Sequence, residues 1–306
     1  RIRLRGGNRI NLSGVTGPYV FIYDSDLLGG TPLFYADMYG SGGRVAILGT
    51  NFTHARFMTD SLSPPELIGK TLISHNRCIV PEGYHYAVRH YAGEAVVSDN
   101  EFSGSTSLVF NAECTGCVRG KRVNLIERNF FHHPPDRPYS GSTLAIASKD
   151  IGVVRNNLFY QIPRWMISVH YSTYAESNGV VGNYGVPSKS IHIYNNTAYT
   201  TVSSEYLIGG RMDVDFLEVK NNLLFGSGSV VFSSTNGIGQ WDVSNNFEQD
   251  PHFLNVTDPQ NPGFLRPNPQ TSPVVDAGAP VPAIDDFVGT PRPQGAGWDI
   301  GAFETW

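Results

Sequence analysis

The sequence predicts an all-β chain wound as a right-handed parallel β-helix, a solenoid of about nine to ten coils. Three observations predict it: short apolar strands that recur at long range and end in asparagine, no amphipathic helix of useful length, and a composition rich in turn formers. The recurring segments are VAILGTN ending at Asn51, TLISHN at Asn76, AVVSDN at Asn100, VNLIERN at Asn129, IGVVRNN at Asn157, IHIYNN at Asn196, FLEVKNN at Asn222 and WDVSNN at Asn246. Their ends lie 25, 24, 29, 28, 39, 26 and 24 residues apart, and Asp26 in YVFIYDSD lies 25 before Asn51 and extends the series.

Each segment alternates apolar and polar residues and then turns, as a strand with one buried face does. Asparagine tolerates the left-handed conformation that a tight bend requires. Stacked corners let each Asn amide bond the coils above and below, which satisfies backbone groups that an inward corner would leave unpaired. A period near 25 accommodates three strands and three turns. A β-sandwich would instead show a turn signal every 8 to 12 residues and no long period.

The coils ending at Asn129, Asn157 and Asn196 are longer than the rest, so their excess is expected to leave as loops. One is FHHPPDRPYSG, 131–141, and the other is 161–190, which includes PRWMISVHYSTYAESNGVVGNYG. The expected organisation is a coiled body over 1–250 and a closing segment over 251–306 packed on it. With 33 Gly, 20 Pro and only 16% charged residues, the body is polar by amide and hydroxyl.

A net charge of −5 lacks the basic excess that binding to phosphates requires, which argues against nucleic acid as a partner. No run of about 18 apolar residues occurs, so no membrane span is expected. The opening Arg1-Ile2-Arg3-Leu4-Arg5 does not read as a signal peptide, and any export signal is expected to have been removed or omitted. IRLRGGNRINLSG enters strand-like sequence at once without a capping helix, which fits self-association through an uncapped first coil and fits a truncated N-terminus equally well. Cys78 stands alone; Cys114 and Cys117 are spaced to close a small disulfide loop or to remain thiols, and a zinc site would need a second ligand pair.

A strand follows each corner: YAVRH (86–90), LVFNAE (108–113), LAIASKD (144–150), ISVHY (167–171) and LIGGR (207–211). Each begins apolar and ends polar. Aligned on those ends they form one column, with Arg89 and His90, then Asn111 and Glu113, Ser148 and Lys149, His170 and Tyr171, and Arg211. Coils ~5 Å apart would let these side chains converge on one substrate. Lys149, His170 and Tyr171 are candidate bases, Arg89 and Arg211 bind carboxylates, Glu113 is the carboxylate, and His90 and Asn111 add substrate contacts. Solvent-facing strand positions would be polar without any such role. Tyr84, Tyr91, Tyr139, Trp165 and Tyr174 could stack on sugar rings, whereas Tyr86 falls on the core side. His133 and Arg137, in HHPPDR, form an expected loop lip over the cleft.

The stretches DPHFLN (250–255), TSPVVDAG (271–278) and DFVGTPRPQGAGWDIGAFE (286–304) resemble the closing segment of many secreted bacterial β-helix proteins. That resemblance implies export, to the extracellular space or periplasm, and names no substrate. ELIGKTLISHN followed by YHYAVRHYAGEAVVSDNEFSG resembles the coil pair that carries the catalytic Lys and Arg in the β-helix polysaccharide lyases of the alginate lyase and chondroitinase B type. The resemblance implies Lys70 as base, Arg89 as its partner, Glu66 near a calcium-liganding position, and Ca2+ as the one cofactor suggested. The chain departs from the pattern in having Tyr91 where Gly follows Arg-His, Thr71 where Ser follows Lys, and no second acidic calcium ligand.

The function expected is that of an extracellular polysaccharide-active enzyme, a lyase acting on a uronate-containing glycan by β-elimination. A glycoside hydrolase is the alternative and needs two carboxylates, for which Glu113 with Asp150 or Asp213 with Asp215 are candidates. A third class is a non-catalytic surface or filament protein that uses the solenoid as a rod.

Overall fold

The computed structural model of the chain describes residues 3–5, 9–11, 19–28, 34–39, 44–53, 55–60, 70–79, 88–90, 94–104, 108–112, 123–132, 144–148, 151–163, 165–169, 188–202, 206–209, 214–231 and 238–306. Among the described residues the strands form three parallel sheets of nine strands each. Each coil contributes one strand to each sheet in turn. In one coil these are Glu101–Ser103 in the first sheet, Leu108–Ala112 in the second and Val123–Glu127 in the third. Each strand inside a sheet pairs in register with its equivalents one coil before and after, and the end strands with one of them, so the fold is the parallel β-helix that the repeat predicts.

The asparagine ladder stands at the corner between the third and first sheets. Asn76, Asn100, Asn129, Asn157, Asn196 and Asn222 each direct both the backbone N–H and the side-chain amide at the Oδ1 of the next asparagine, ending on Asn246. The same amides donate backward to carbonyls of the preceding coil, as Asn100 does to Ile73 O at 3.0 Å. No polar group at this inward corner has to face the apolar interior unpaired.

Two details differ from the sequence reading. The bend itself is made by the residue before the ladder asparagine: His75, Asp99, Arg128, Asn156, Asn195, Asn221 and Asn245 all have φ between 49° and 59°. In each Asn-Asn pair the first asparagine bends the chain and the second bonds the ladder. Asn51, in turn, is not a ladder residue. Gly49 makes that bend with φ 57°, and Thr50 N–H donates to Asn76 Oδ1 at 2.9 Å. Asn51 is the exposed first residue of the next strand and donates to Asp26 Oδ1 at 2.9 Å, so Asp26 and Asn51 share a level one residue beyond the ladder.

The interior is filled by side chains of all three sheets. Phe102, Phe131 and Phe159 stack through the first sheet with centroids 5.0 Å apart and planes within 10° of parallel. Coil spacing matches ring-stacking distance, so identical inward residues reinforce one another along the axis. Gly152 lacks a side chain because a Cβ there would lie 2.7 Å from Ile191 Cδ1 and 2.9 Å from Ile146 Cδ1. Cys78 is a free, fully buried thiol whose ionisation burial suppresses; Cys114 and Cys117 lie outside the described residues.

Beyond Asn246 the chain runs back along the outer face of the first sheet. Phe264 meets Phe130 and Tyr160 edge-on at 5.9 and 5.0 Å, and Leu265 and Phe303 cover Leu158. The bend residues provide its anchor points: Arg128 pairs with Asp285 at 3.2 Å, Asn156 donates to Asp285 O, Asn195 to Asp299 O and Gly301 O, and Asn221 exchanges two hydrogen bonds with Ala279. Inside the segment, Arg292 and Glu304 form a fully buried pair at 2.7 Å. Asp299 accepts from the backbone N–H groups of Asp276 and Thr305, and Asp286 from those of Val288, Thr290 and Glu304. The terminal Asp-Ile-Gly-Ala-Phe-Glu motif is therefore a folding element in which buried carboxylates bind backbone donors that no strand pairs.

Candidate functional site on the second sheet

The second sheet carries the strands that the sequence singled out. In its register Val88, Leu108, Leu144, Ile167 and Ile208 share one level. The next level holds Arg89, Val109, Ala145, Ser168 and Gly209, and the one after it His90, Phe110, Ile146 and Val169. The level beyond pairs Asn111 with Ala147, and then Ala112 with Ser148. The single column expected from aligned strand ends is thus corrected: Arg89 stands two positions short of Asn111, and Ser148 one position past it. The strands differ in how far they run beyond their buried residues, so aligning their polar ends slips the register.

Leu144, Ile146, Ile167 and Val169 are buried in the core, and Ser168, between the last two, is itself fully buried. Trp165 lies against Gly209. Residues 161–163 and 165–166 are part of the coil, so the insertion expected over 161–190 does not begin at 161. Glu113, Lys149, His170, Tyr171, Arg211, Tyr84, Tyr91, His133, Arg137 and Glu66 lie outside the described residues, as do Asp150 and Asp213. Lys70 opens a strand of the third sheet, whereas Arg89 is on the second; Lys70 is exposed and pairs with Glu94 at 3.2 Å.

The third sheet carries a charged cluster that sequence reasoning missed. His192, Glu218 and Asp242 share one level of its outer face and Tyr194, Lys220 and Ser244 another. Glu218 Oε2 accepts from Tyr194 Oη and lies 3.0 Å from His192 Nδ1, while Oε1 accepts from Lys220 at 2.8 Å. Lys220 also reaches Asp242 at 2.7 Å. Burial alone would raise the Glu218 carboxyl, but the bonds from Lys220, Tyr194 and His192 outweigh it and hold the group at about 2. Burial and the Glu218 charge push the Tyr194 phenol up, and its ring packs under Val281, Ala283 and Trp298. The sequence carries a signal for it: His192, Glu218 and Asp242 each stand four residues before a ladder asparagine.

With its donors and acceptors used internally, this cluster serves as a brace under the C-terminal segment. Because the folded Glu218 is the stronger acid, its stabilisation is complete above its ordinary value of 4.5 and is lost as pH falls from there through about 2. Glu218→Gln is expected to cost on the order of 2 kcal/mol at neutral pH. In urea unfolding across pH, the gap between wild type and variant should stay level above about pH 5 and close below it; a gap that persists unchanged into acid contradicts the assignment.

No protein-family model matches the sequence, and no curated protein matches it. Among solved structures the chain is similar to the crystal structure of pectate lyase Pel9A, with a TM-score of 0.52 and 12% sequence identity, over 98% of this chain and 83% of that one. The likeness is one of fold. It spans the coils and the returning segment together, and the two chains share that architecture with little sequence in common.

Proposed function

We propose that this protein is an extracellular polysaccharide-active enzyme, a lyase that cleaves a uronate-containing glycan by β-elimination. The observation that carries the reading is the β-helix likeness to a pectate lyase along nearly the whole chain. Arg89 of strand Val88–His90 lies on the second sheet, on one level with Val109, Ala145, Ser168 and Gly209 along the solenoid axis. In this reading Arg89 binds the uronate carboxylate and stabilises the charge that develops as the C5 proton leaves; Lys149, His170 or Tyr171 takes that proton, and the C4–O bond then breaks. Glu66, the implied calcium ligand, lies outside the described residues, and no group of three His, Cys, Asp or Glu side chains gathers among those described. Among the described residues no helix is long and apolar enough to cross a membrane.

The test is incubation with pectate, alginate, chondroitin and neutral glycans. Rising ultraviolet absorbance from unsaturated uronate is expected; new reducing ends without it would mean hydrolysis, and silence across the panel would favour a rod. Arg89→Ala, Lys149→Ala and His170→Ala, made singly, are expected to include at least one loss of about 100-fold or more in kcat. Unchanged turnover in all three removes this face from the mechanism.

A further inference from the structure

The third sheet ends in an open edge. Among the described residues no strand follows Ile238–Ser244 in that sheet. Trp241 and Val243 stand at inward positions, level with Leu217 and Val219 of the coil before. Leu217 and Val219 have no solvent access, whereas Trp241 is 49% and Val243 39% exposed. Two apolar side chains that belong to the core therefore meet water, at a cost that grows with their exposed area.

The backbone of the same residues faces the open side. Neighbouring residues of a strand direct their N–H and C=O groups to opposite sides. Val219, an inward residue, presents its carbonyl to the following coil, where Asn246 Nδ2 donates to it at 2.9 Å. Lys220, an outward one, presents its carbonyl to the preceding coil, where Asn195 N–H donates to it at 3.2 Å. In Ile238–Ser244 the same alternation turns Gln240, Asp242 and Ser244 back toward the sheet and leaves Gly239, Trp241 and Val243 with donors and acceptors pointing off its edge. No side chain blunts that edge: the strand has no proline, and its one charge, Asp242, lies on the outer face, held by Lys220 at 2.7 Å.

A second copy of the strand can meet it antiparallel about a two-fold axis through one residue. An axis at Asp242 sets two carboxylates directly opposite each other, which is destabilising. An axis at Gln240 opposes Val243 to a position before the strand begins. An axis at Trp241 pairs Trp241 with its own copy and Gly239 with Val243 in both directions, so all three edge-facing residues exchange hydrogen bonds. It also places the Gln240 amide, a donor, opposite the Asp242 carboxylate, an acceptor.

We infer that this end of the solenoid is a homodimer interface: Ile238–Ser244 pairs antiparallel with the same strand of a second copy about Trp241, joining the two third sheets and covering both tryptophans. The partner is this chain itself, and the inference does not depend on the proposed activity.

The test is the mass of the full chain in solution, by sedimentation equilibrium over micromolar concentrations, together with hydrogen exchange of the peptide spanning 238–244. We expect a monomer–dimer equilibrium that stops at two, and amide protection of that peptide that rises with concentration. Val243→Pro removes a donor from the free edge and none from the pairing within the chain, so it should weaken the dimer about 100-fold or more at an unchanged unfolding midpoint. Gln240→Glu, on the exposed outer face, should weaken it about 10-fold by opposing carboxylates, and Gln240→Lys should strengthen it, both effects shrinking in high salt. The Gln240 variants decide the matter even where proline disturbs the strand. A monomer at every concentration, assemblies that grow past two, a dimer whose 238–244 amides stay unprotected, or a dimer indifferent to both Gln240 changes overturns the interface.

Discussion

Asn157→Ala is expected to lower the unfolding free energy by about 4 kcal/mol or more, a large fraction of the total for most domains. Its amide donates to Ile126 O, Arg155 O and Asn196 Oδ1, and its oxygen accepts from both the backbone and side chain of Asn129. Alanine leaves all of these without that partner at a site with no solvent access. Asn246→Ala, at the far end of the ladder, removes one donor bond to Val219 O and the acceptor of Asn222, and it does so where water can enter. It should cost less than half as much. Chemical denaturation of the two variants checks this ordering, and equal losses would show that the ladder does not act through buried unsatisfied groups.

The second large effect is expected at Arg292. Its guanidinium donates to Glu304 Oε2 at 2.7 Å, to Gly301 O at 2.8 Å and to the carbonyls of Asp285 and Asp299 at 3.2 Å. Both members of the ion pair are fully enclosed, so Glu304→Ala strands a cation and should cost about 3–5 kcal/mol. Burial pushes the Glu304 carboxyl up and weakens the Arg292 base, so the charges persist through each other and the surrounding bonds. Replacing both, as Arg292→Met with Glu304→Leu, removes the orphaned charge and should destabilise less than Glu304→Ala alone. Thermal unfolding of the three chains decides it; a double variant that falls below Glu304→Ala would show that the carbonyl contacts of Arg292 matter more than its charge partner.

The coils were legible because a strand that buries one face and then bends leaves a mark at every turn. Asn51 shows where that mark misleads. It lies 25 residues from Asn76, close to one period, yet Thr50 does the bonding, and counting cannot separate neighbouring positions when Gly49 is free to take the bend. Aligning polar strand ends misplaced Arg89 relative to Asn111, whereas alignment on Val88, Leu108, Leu144, Ile167 and Ile208 gives the observed register. The Trp165–Gly209 contact was illegible in principle, since nothing periodic links a turn residue to a glycine one coil later. The same holds for Arg292, Asp286, Asp299 and Glu304, whose partnership depends on an irregular path.

The returning segment also changes how the solenoid should come apart. A stack of coils held only by nearest neighbours can peel one layer at a time from either end. Here one continuous stretch is fastened to the bends at Arg128, Asn156, Asn195 and Asn221, so none of those layers can leave without tearing the strap from the others. The strapped layers form a single fracture unit, and under load or heat the crack should open among the layers before it.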